Sequence, residues 1–481
     1  MKKYLFFALI AITALLTACT DDDSFSASSS NVLTFSTDSV KLDTVFSRVP
    51  TATKTFWVYN KSGDGIRCST IKLQNGNQTG FRVNVDGSYL GEAQGFQVNN
   101  IEIRKNDSIR VFVELTSPSN NQELPQEVKD DLVFVLESGV QQKVVLNAFT
   151  WDAEIMENNV VTKDSTINST KPIIIRGGLT VAENATLTIA AGTSMYFHGD
   201  AGMDVYGSLV VDGTADKRVV MRGDRIDRMF DYLPYDNVSG QWKGIHIYST
   251  SDANYIRYAD IHSTFDALIC DTTLVEIDNT IIHNCQGYGF LAYNSVIMAR
   301  NSQFTNTLND CVAVYGGEAH FIQCTMAQFY PFDYNRGVAL RFSNFKDDKD
   351  YPLTMMSCIN TLITGYADDE ILGTSREDSD TPYLYYFDHC IIRTPVMDED
   401  PVHLIENIYE QPEDTVSGGV KHFALIDTNN LVYDFQLSEK SSAIDKGTPT
   451  LFSIDLLGRK RDDTPDIGCY EFFKPAEEQK E

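Results

Sequence analysis

The chain is short of positive charge: 39 Lys and Arg stand against 67 Asp and Glu in 481 residues, for a formal net charge of −28. So acidic a body repels nucleic acid and anionic headgroups, and no nucleic-acid partner is expected. Acidic polysaccharides are disfavoured too unless a local basic groove exists. Long apolar runs are also scarce. The run over residues 4–16 falls short of the roughly 20 residues that span a bilayer. The nine cysteines are scattered singly, without CxxC or the Cys/His spacing of zinc modules. No metal and no cofactor is therefore expected, and no disulfide can be assigned.

What is present begins with MKKYLFFALIAITALLTAC. Two lysines, an apolar run and a small-residue end have the anatomy of a secretory leader. Leu16-Thr17-Ala18-Cys19 resembles a bacterial lipobox, which implies removal of residues 1–18 and acylation of Cys19. Several acyl chains, at about 0.8 kcal/mol per buried CH2, anchor such a protein firmly. Asp21, Asp22 and Asp23 resemble the surface-export signal of Bacteroidota lipoproteins. That resemblance implies a lipid-anchored protein exposed on the outer face of the outer membrane. Residues 19–30 thus read as lipid anchor and flexible tether, the Ser-rich part from Ser24 to Ser30 being too polar to bury.

From residue 31 to 151, segments such as KTFWVYN, NDSIRVFVELT and QQKVVLNAF alternate apolar and polar side chains between Gly, Asn and Asp turns. Period-two alternation over about 120 residues predicts an Ig-like β-sandwich. No nucleophile, His cluster or phosphate loop interrupts it. Asp-Ser/Thr-aliphatic triplets at 38, 43 and 107 resemble Bacteroidota O-glycosylation sites.

Past Trp151 a small motif returns at intervals: YADI at 258, NTII at 279, NSQF at 301 and CTMA at 324 are 21, 22 and 23 residues apart. NTLI at 360 and HCII at 389 continue the series, and TLTI at 186 and SLVV at 208 again lie 22 apart. One such interval suits one coil of a parallel β-helix with strands stacked at about 4.8 Å. On this alignment Asn279, Asn301 and Asn360 fall in one interior column, their amides bonding along the stack, with Cys324 as a small buried substitute. The stretch 183–224 resembles the opening coils of right-handed β-helices of the pectin-lyase-like fold. SSAIDKGTPTLFSIDLLGRKRDDTPDIGCYEF, 441–472, resembles the closing segment of many such proteins. The expected architecture is therefore all-β: a sandwich at 31–151, a right-handed parallel β-helix at 152–473, and a disordered tail at 474–481.

LNDCVAVYGG, at 308–317, resembles a catalytic segment of polygalacturonases, which would need several carboxylates around the scissile bond. Asn309 replaces one of its paired acids, His320 lacks flanking glycines, and neither Asn-Thr-Asp nor Arg-Ile-Lys is in place. A polysaccharide lyase would need gathered carboxylates for Ca2+ and a basic residue. The acidic run Asp347, Asp348 and Asp350 reads instead as a solvated loop tip. No catalytic set is assigned; Asp310, Asp333, Arg336 and Arg341 are the weak candidates. RGD at 222–224 ends a strand and reads as chance.

Irregular stretches at 225–242 and 328–352 interrupt the period and are rich in aromatics and Arg, as binding loops on rigid scaffolds are. Tyr330, Phe332, Tyr334 and Trp242 are the binding candidates, the first three facing one way if YPFDY is extended. The expected function is a non-catalytic surface lipoprotein that presents its β-helix to an outer-membrane protein, as accessory subunit of an assembly or transport complex, or to a glycan. The alternatives are a polysaccharide lyase or glycoside hydrolase, and a neutral-glycan binder.

Overall fold

Alternation in the first 150 residues and a coil-length repeat in the rest produce two compact units, Met1–Asp152 and Ala153–Glu481. The structure is a computed structural model that describes residues 24–230, 232–376, 380–395, 400–410 and 418–474. The leader, Cys19, Asp21, Asp22 and Asp23, and residues 475–481 of the expected tail lie outside the described residues. Among the described residues no helix is long and apolar enough to cross a membrane.

The first unit is a sandwich of two five-stranded sheets. In Ser108–Leu115 every second residue, Ile109, Val111, Val113 and Leu115, is buried. The second sheet turns Leu132, Phe134, Leu136, Val144 and Leu146 into the same core. Fully burying such a side chain contributes about 1.5–3 kcal/mol, so the alternation itself selects the two-layer arrangement. One part of the tether departs from expectation. Phe25 pairs with Gly65 and lies under the Arg67 guanidinium at 4.9 Å, and Ser24 donates to Asp64 at 2.8 Å. A single aromatic in a Ser-rich stretch suffices to pin it.

The second unit is a right-handed parallel β-helix whose strands stack into three faces within one large sheet. Its first face runs through Ile245–Ile247, Leu268–Asp271, the start of Phe290–Arg300, the start of Val312–Ile322, and Leu340–Ser343. The second face includes Leu274–Asp278 and the later halves of those two long strands. The third runs through Val219–Gly223, Ala259–His262, Ile281–Cys285, Gln303–Thr307, Thr325–Gln328, Leu362–Gly365, Ile391–Arg393 and Ile408–Glu410. Met221, Ile261, Ile282, Phe304, Met326 and Ile363 form one inward column, fully buried.

The asparagine column differs from its expected role. Asn279, Asn301 and Asn360 share a corner with Tyr258, Gln323 and His389, all with φ between 46 and 52°. Asn tolerates this left-handed conformation better than most residues, and this explains its recurrence. Each backbone N–H donates to the next coil, as Asn279 does to Arg300 O at 3.0 Å. The side-chain amides turn outward instead: Asn301 donates to Ile454 O at 2.9 Å, and Asn360 to Thr448 O at 2.7 Å. Gln323, not Cys324, occupies the corner, so the true intervals there are 21, 22 and 22. Hydrogen bonds along the stack fall one residue later, where Ala259 N donates to Thr280 Oγ1 and Thr280 N to Ser302 Oγ.

Among the described residues the parallel ladder ends at Glu410, and residues 418–474 fold back over the outer side of the third face rather than adding coils. Buried Arg461 bonds Glu471 at 3.0 Å and the Asn301 amide oxygen at 3.1 Å. Asp455 receives both Arg459 Nε and Nη2, and Tyr470 donates to Gln303 at 2.7 Å. The charged residues of the closing motif are thus the clasps of a cover.

The 328–352 insertion is two features, because Leu340–Ser343 is a regular rung of the first face. A loop at 329–339 precedes it, and a hairpin, Phe345–Lys346 with Lys349–Asp350, follows. Asp347, Asp348 and Asp350 are exposed around that hairpin. Gly316 and Gly317 turn the chain between faces at φ of 71 and 81°; a Cβ on Gly317 would meet Ser295 O at 2.2 Å. The eight described cysteines are all free and buried, and burial pushes the Cys285 thiol up to about 12.

Candidate functional site

Coils of nearly constant length bring outward residues about 22 apart into contact, and on the first face this makes a tyrosine row. Tyr293 pairs in register with Tyr315, and their rings stack at 5.5 Å. Tyr351, from the hairpin side, packs on Tyr293 at 5.7 Å. Lys346 of the hairpin lies 4.8 Å from both the Tyr293 and Tyr315 rings and donates a hydrogen bond to the Tyr293 hydroxyl. Burial opposes its charge, yet the Tyr293 contact leaves the ammonium above its ordinary value. Burial raises both the Tyr288 and the Tyr315 phenol above the ordinary value. The hairpin and Tyr293 border an open concavity of about 780 Å³. Further along the same side Tyr206 and Tyr248 stack at 4.4 Å.

Asp310 and Arg341 meet beside this row. Asp310 is 2 % exposed and accepts Arg341 Nε at 2.6 Å, Arg341 Nη2 at 3.2 Å and Val338 N at 2.9 Å. Room for the carboxylate exists because residue 337 is Gly, whose added Cβ would stand 2.5 Å from Asp310 Oδ1. A carboxylate so committed anchors the 329–339 loop and offers no free acid or base. Asp333 caps a turn through Asn335 N at 2.8 Å, and Arg336 binds the Tyr330 and Asp333 carbonyls beneath the Tyr366 ring. The four weak candidates therefore form one ion pair and one loop brace, not a converging catalytic set.

The aromatic candidates also separate. Trp242 is 1 % exposed, stacked on Phe197 at 4.1 Å and bonded to His262 O, so it belongs to the core and not to a binding surface. YPFDY is not a strand. Tyr330 is buried with its hydroxyl on Ser239 at 2.7 Å, whereas Phe332 and Tyr334 are exposed. The three side chains do not share a face, because the loop bends where extended alternation was expected. RGD is likewise tied down: Arg222 pairs with Asp236, and Asp224 receives His198 Nδ1 at 2.7 Å.

Two constellations escaped the reading of motifs. Ser441, His422 and Glu410 lie in line, with His422 Nδ1 2.9 Å from Ser441 Oγ and Nε2 2.7 Å from Glu410. Burial opposes ionisation of Glu410, but bonds from His422 and Thr364 and the nearby Lys421 hold it at about 2. His422 has no exposed surface, and Ser441 also accepts Ala443 N, so this line fastens the cover. On the third face, Asp260, His262 and His283 bring three metal-capable groups together, the only such group among the described residues. Burial opposes a charge on His262, but Asp260 and Asp236 outweigh it and raise the imidazole to about 9. Asp236 falls to about 2, since His262 and Arg222 outweigh the burial that would lift it. The sequence signal was the coil interval: His262 and His283 are 21 residues apart, and Tyr293 and Tyr315 are 22.

Residues 154–327 match the family model described as a right handed beta helix region. No curated protein matches the chain. Among solved structures, a crystal structure of pectate lyase Pel9A aligns at 12 % identity, covering 66 % of this chain and 88 % of that one, with a TM-score of 0.29. The three-faced coil and the matched span together make the second unit a right-handed parallel β-helix.

Proposed function

We propose that the chain is a non-catalytic, lipid-anchored surface protein whose β-helix binds a protein of the outer membrane, as accessory subunit of an assembly or transport complex. The observation that carries this reading is the cluster of partly exposed Tyr293, Lys346 and Tyr351 packed on buried Tyr315 beside the first face. Tyrosine supplies large, rigid, amphipathic contact area, and aromatic anchors dominate protein interfaces. Tyr293 and Tyr315 stack on each other and Lys346 lies over both rings, so their faces are already engaged. Sugar rings need open aromatic faces, so the geometry favours a protein over a neutral glycan. Engagement of Asp310 and Arg341 with each other speaks against hydrolase or lyase chemistry at that position.

The test is purification of the untagged, lipidated protein from gently solubilised outer membranes, alongside a Lys346→Glu, Tyr293→Ala variant. Co-purification of a membrane protein with the wild type and its loss with the variant is the expected result. Equal recovery from both, or cleavage of an acidic polysaccharide by the purified chain, overturns the proposal.

A further inference from the structure

The third face carries a second site that owes nothing to the tyrosine row. His262 and His283 are register partners on consecutive coils, and their rings stack at 4.6 Å. Asp260 precedes His262 by two residues on the same strand, so both side chains point to the outer side. Three donor atoms converge there: Asp260 Oδ1 lies 2.8 Å from His262 Nδ1 and 3.3 Å from His283 Nε2. Two ligands held at about 2.0 Å from a tetrahedral ion stand about 3.3 Å apart, so of the two carboxylate–imidazole pairs one already has the required spacing and the other must open by about 0.5 Å, while the two imidazole nitrogens lie within 4.8 Å of each other.

The surroundings are those of a supported metal site. His262 is 5 % exposed, and its other nitrogen, Nε2, meets Asp236 Oδ1 at 3.0 Å. Asp236 is itself held by Arg222, and Asn284 donates to the Asp236 carbonyl, fixing the 225–242 loop over the ring. A carboxylate on the far nitrogen of a ligating histidine sets its tautomer and orients its lone pair. On the open side, Asp260 and His283 line a cleft of about 400 Å³ that also includes Asn284, Asn306, Tyr433 and Asp434.

We propose that Asp260, His262 and His283 bind a divalent transition-metal ion of the zinc class, with a fourth position open to the cleft for water or another oxygen ligand. Two imidazoles and one carboxylate suit zinc and its neighbours, whereas Ca2+ takes six to eight oxygens and finds too few here. The 225–242 loop, which interrupts the coil period, supplies the carboxylate that supports the site.

The experiment uses tag-free protein lacking the leader, stripped with chelator, titrated with Zn2+ by calorimetry and with Co2+ by visible absorption. One equivalent of Zn2+ should bind, and Co2+ should give the intense bands of a four-coordinate site. Excess Ca2+ should leave both unchanged. His283→Ala and Asp260→Asn should abolish stoichiometric binding while circular dichroism stays that of the wild type. Asp236→Asn should retain the site at roughly 10- to 100-fold weaker affinity. Absence of saturable Zn2+ binding by the wild type overturns the proposal, as does binding that both His283→Ala and Asp260→Asn preserve.

Discussion

The first and third faces of the same coils wear opposite outer surfaces. Between the third face and the cover of residues 418–474, ionic groups are hidden in paired form: Arg461 with Glu471, Glu410 with His422 and Lys421. The first face leaves Tyr293, Tyr351, Lys346 and Arg341 partly in water, its charges softened by ring faces and one carboxylate. Inside, both present the same kind of apolar column. Coil geometry therefore dictates the inner residues, while the outer ones answer to whatever covers them. A charge under cover must be matched because its desolvation costs several kcal/mol, and one at the surface need not be.

The largest break in this contrast should come from Arg461→Met, which leaves the Glu471 carboxylate buried without its partner. A loss of about 3–5 kcal/mol is expected in urea unfolding, with early proteolytic release of the cover. The double variant Arg461→Met, Glu471→Leu should regain much of it, and a single-variant cost below about 1 kcal/mol would show that the pair does not hold the cover.

Next comes Glu410. Its folded value, about 2 against an ordinary 4.5, is depressed, so its contribution is complete above the ordinary value and is lost as pH falls towards 2. At about 1.4 kcal/mol per unit the contribution is on the order of 3 kcal/mol. Denaturant midpoints measured from about pH 6 down to about pH 3 should fall less steeply for Glu410→Gln than for the wild type. Parallel curves would remove Glu410 from the acid response.

On the first face effects shrink. Asp310→Asn weakens the Arg341 pair at a half-exposed guanidinium and should cost about 1–2 kcal/mol, read from thermal melts. An unchanged melt would mean that Gly337 and the loop backbone alone hold the segment. Smallest is Tyr334→Ala: the side chain is 85 % exposed, and stability should stay within about 0.5 kcal/mol of wild type. A larger drop would reveal a contact of the 329–339 loop that its exposure conceals.

Some of this was legible in the sequence. Alternation in segments such as SIRVFVEL and the coil interval after residue 258 announced both units, and the acidic hairpin tip was read as solvated. The spacing of the Asn column is legible but its task is not, since periodicity reports which positions recur and not whether a recurring Asn faces a stack or turns a corner. The one-residue misplacement of Cys324 has the same origin: a short motif aligns by chemistry, whereas the corner is set by φ. Trp242 has the sequence context of a loop aromatic because its neighbours are irregular. Only the fold reveals that it fills the space beside Phe197.

By itself, the sequence determined the coil length and the inward residues, because apolar side chains recurring at a fixed interval can be buried together in essentially one way. The tertiary structure alone decided the outer sites. Arg461 reaches Asn301 across 160 residues, Lys346 reaches Tyr293 across 53, and Asp236 reaches His262 from a loop outside the repeat. Such meetings depend on where a returning segment lies in space, which no local spacing encodes.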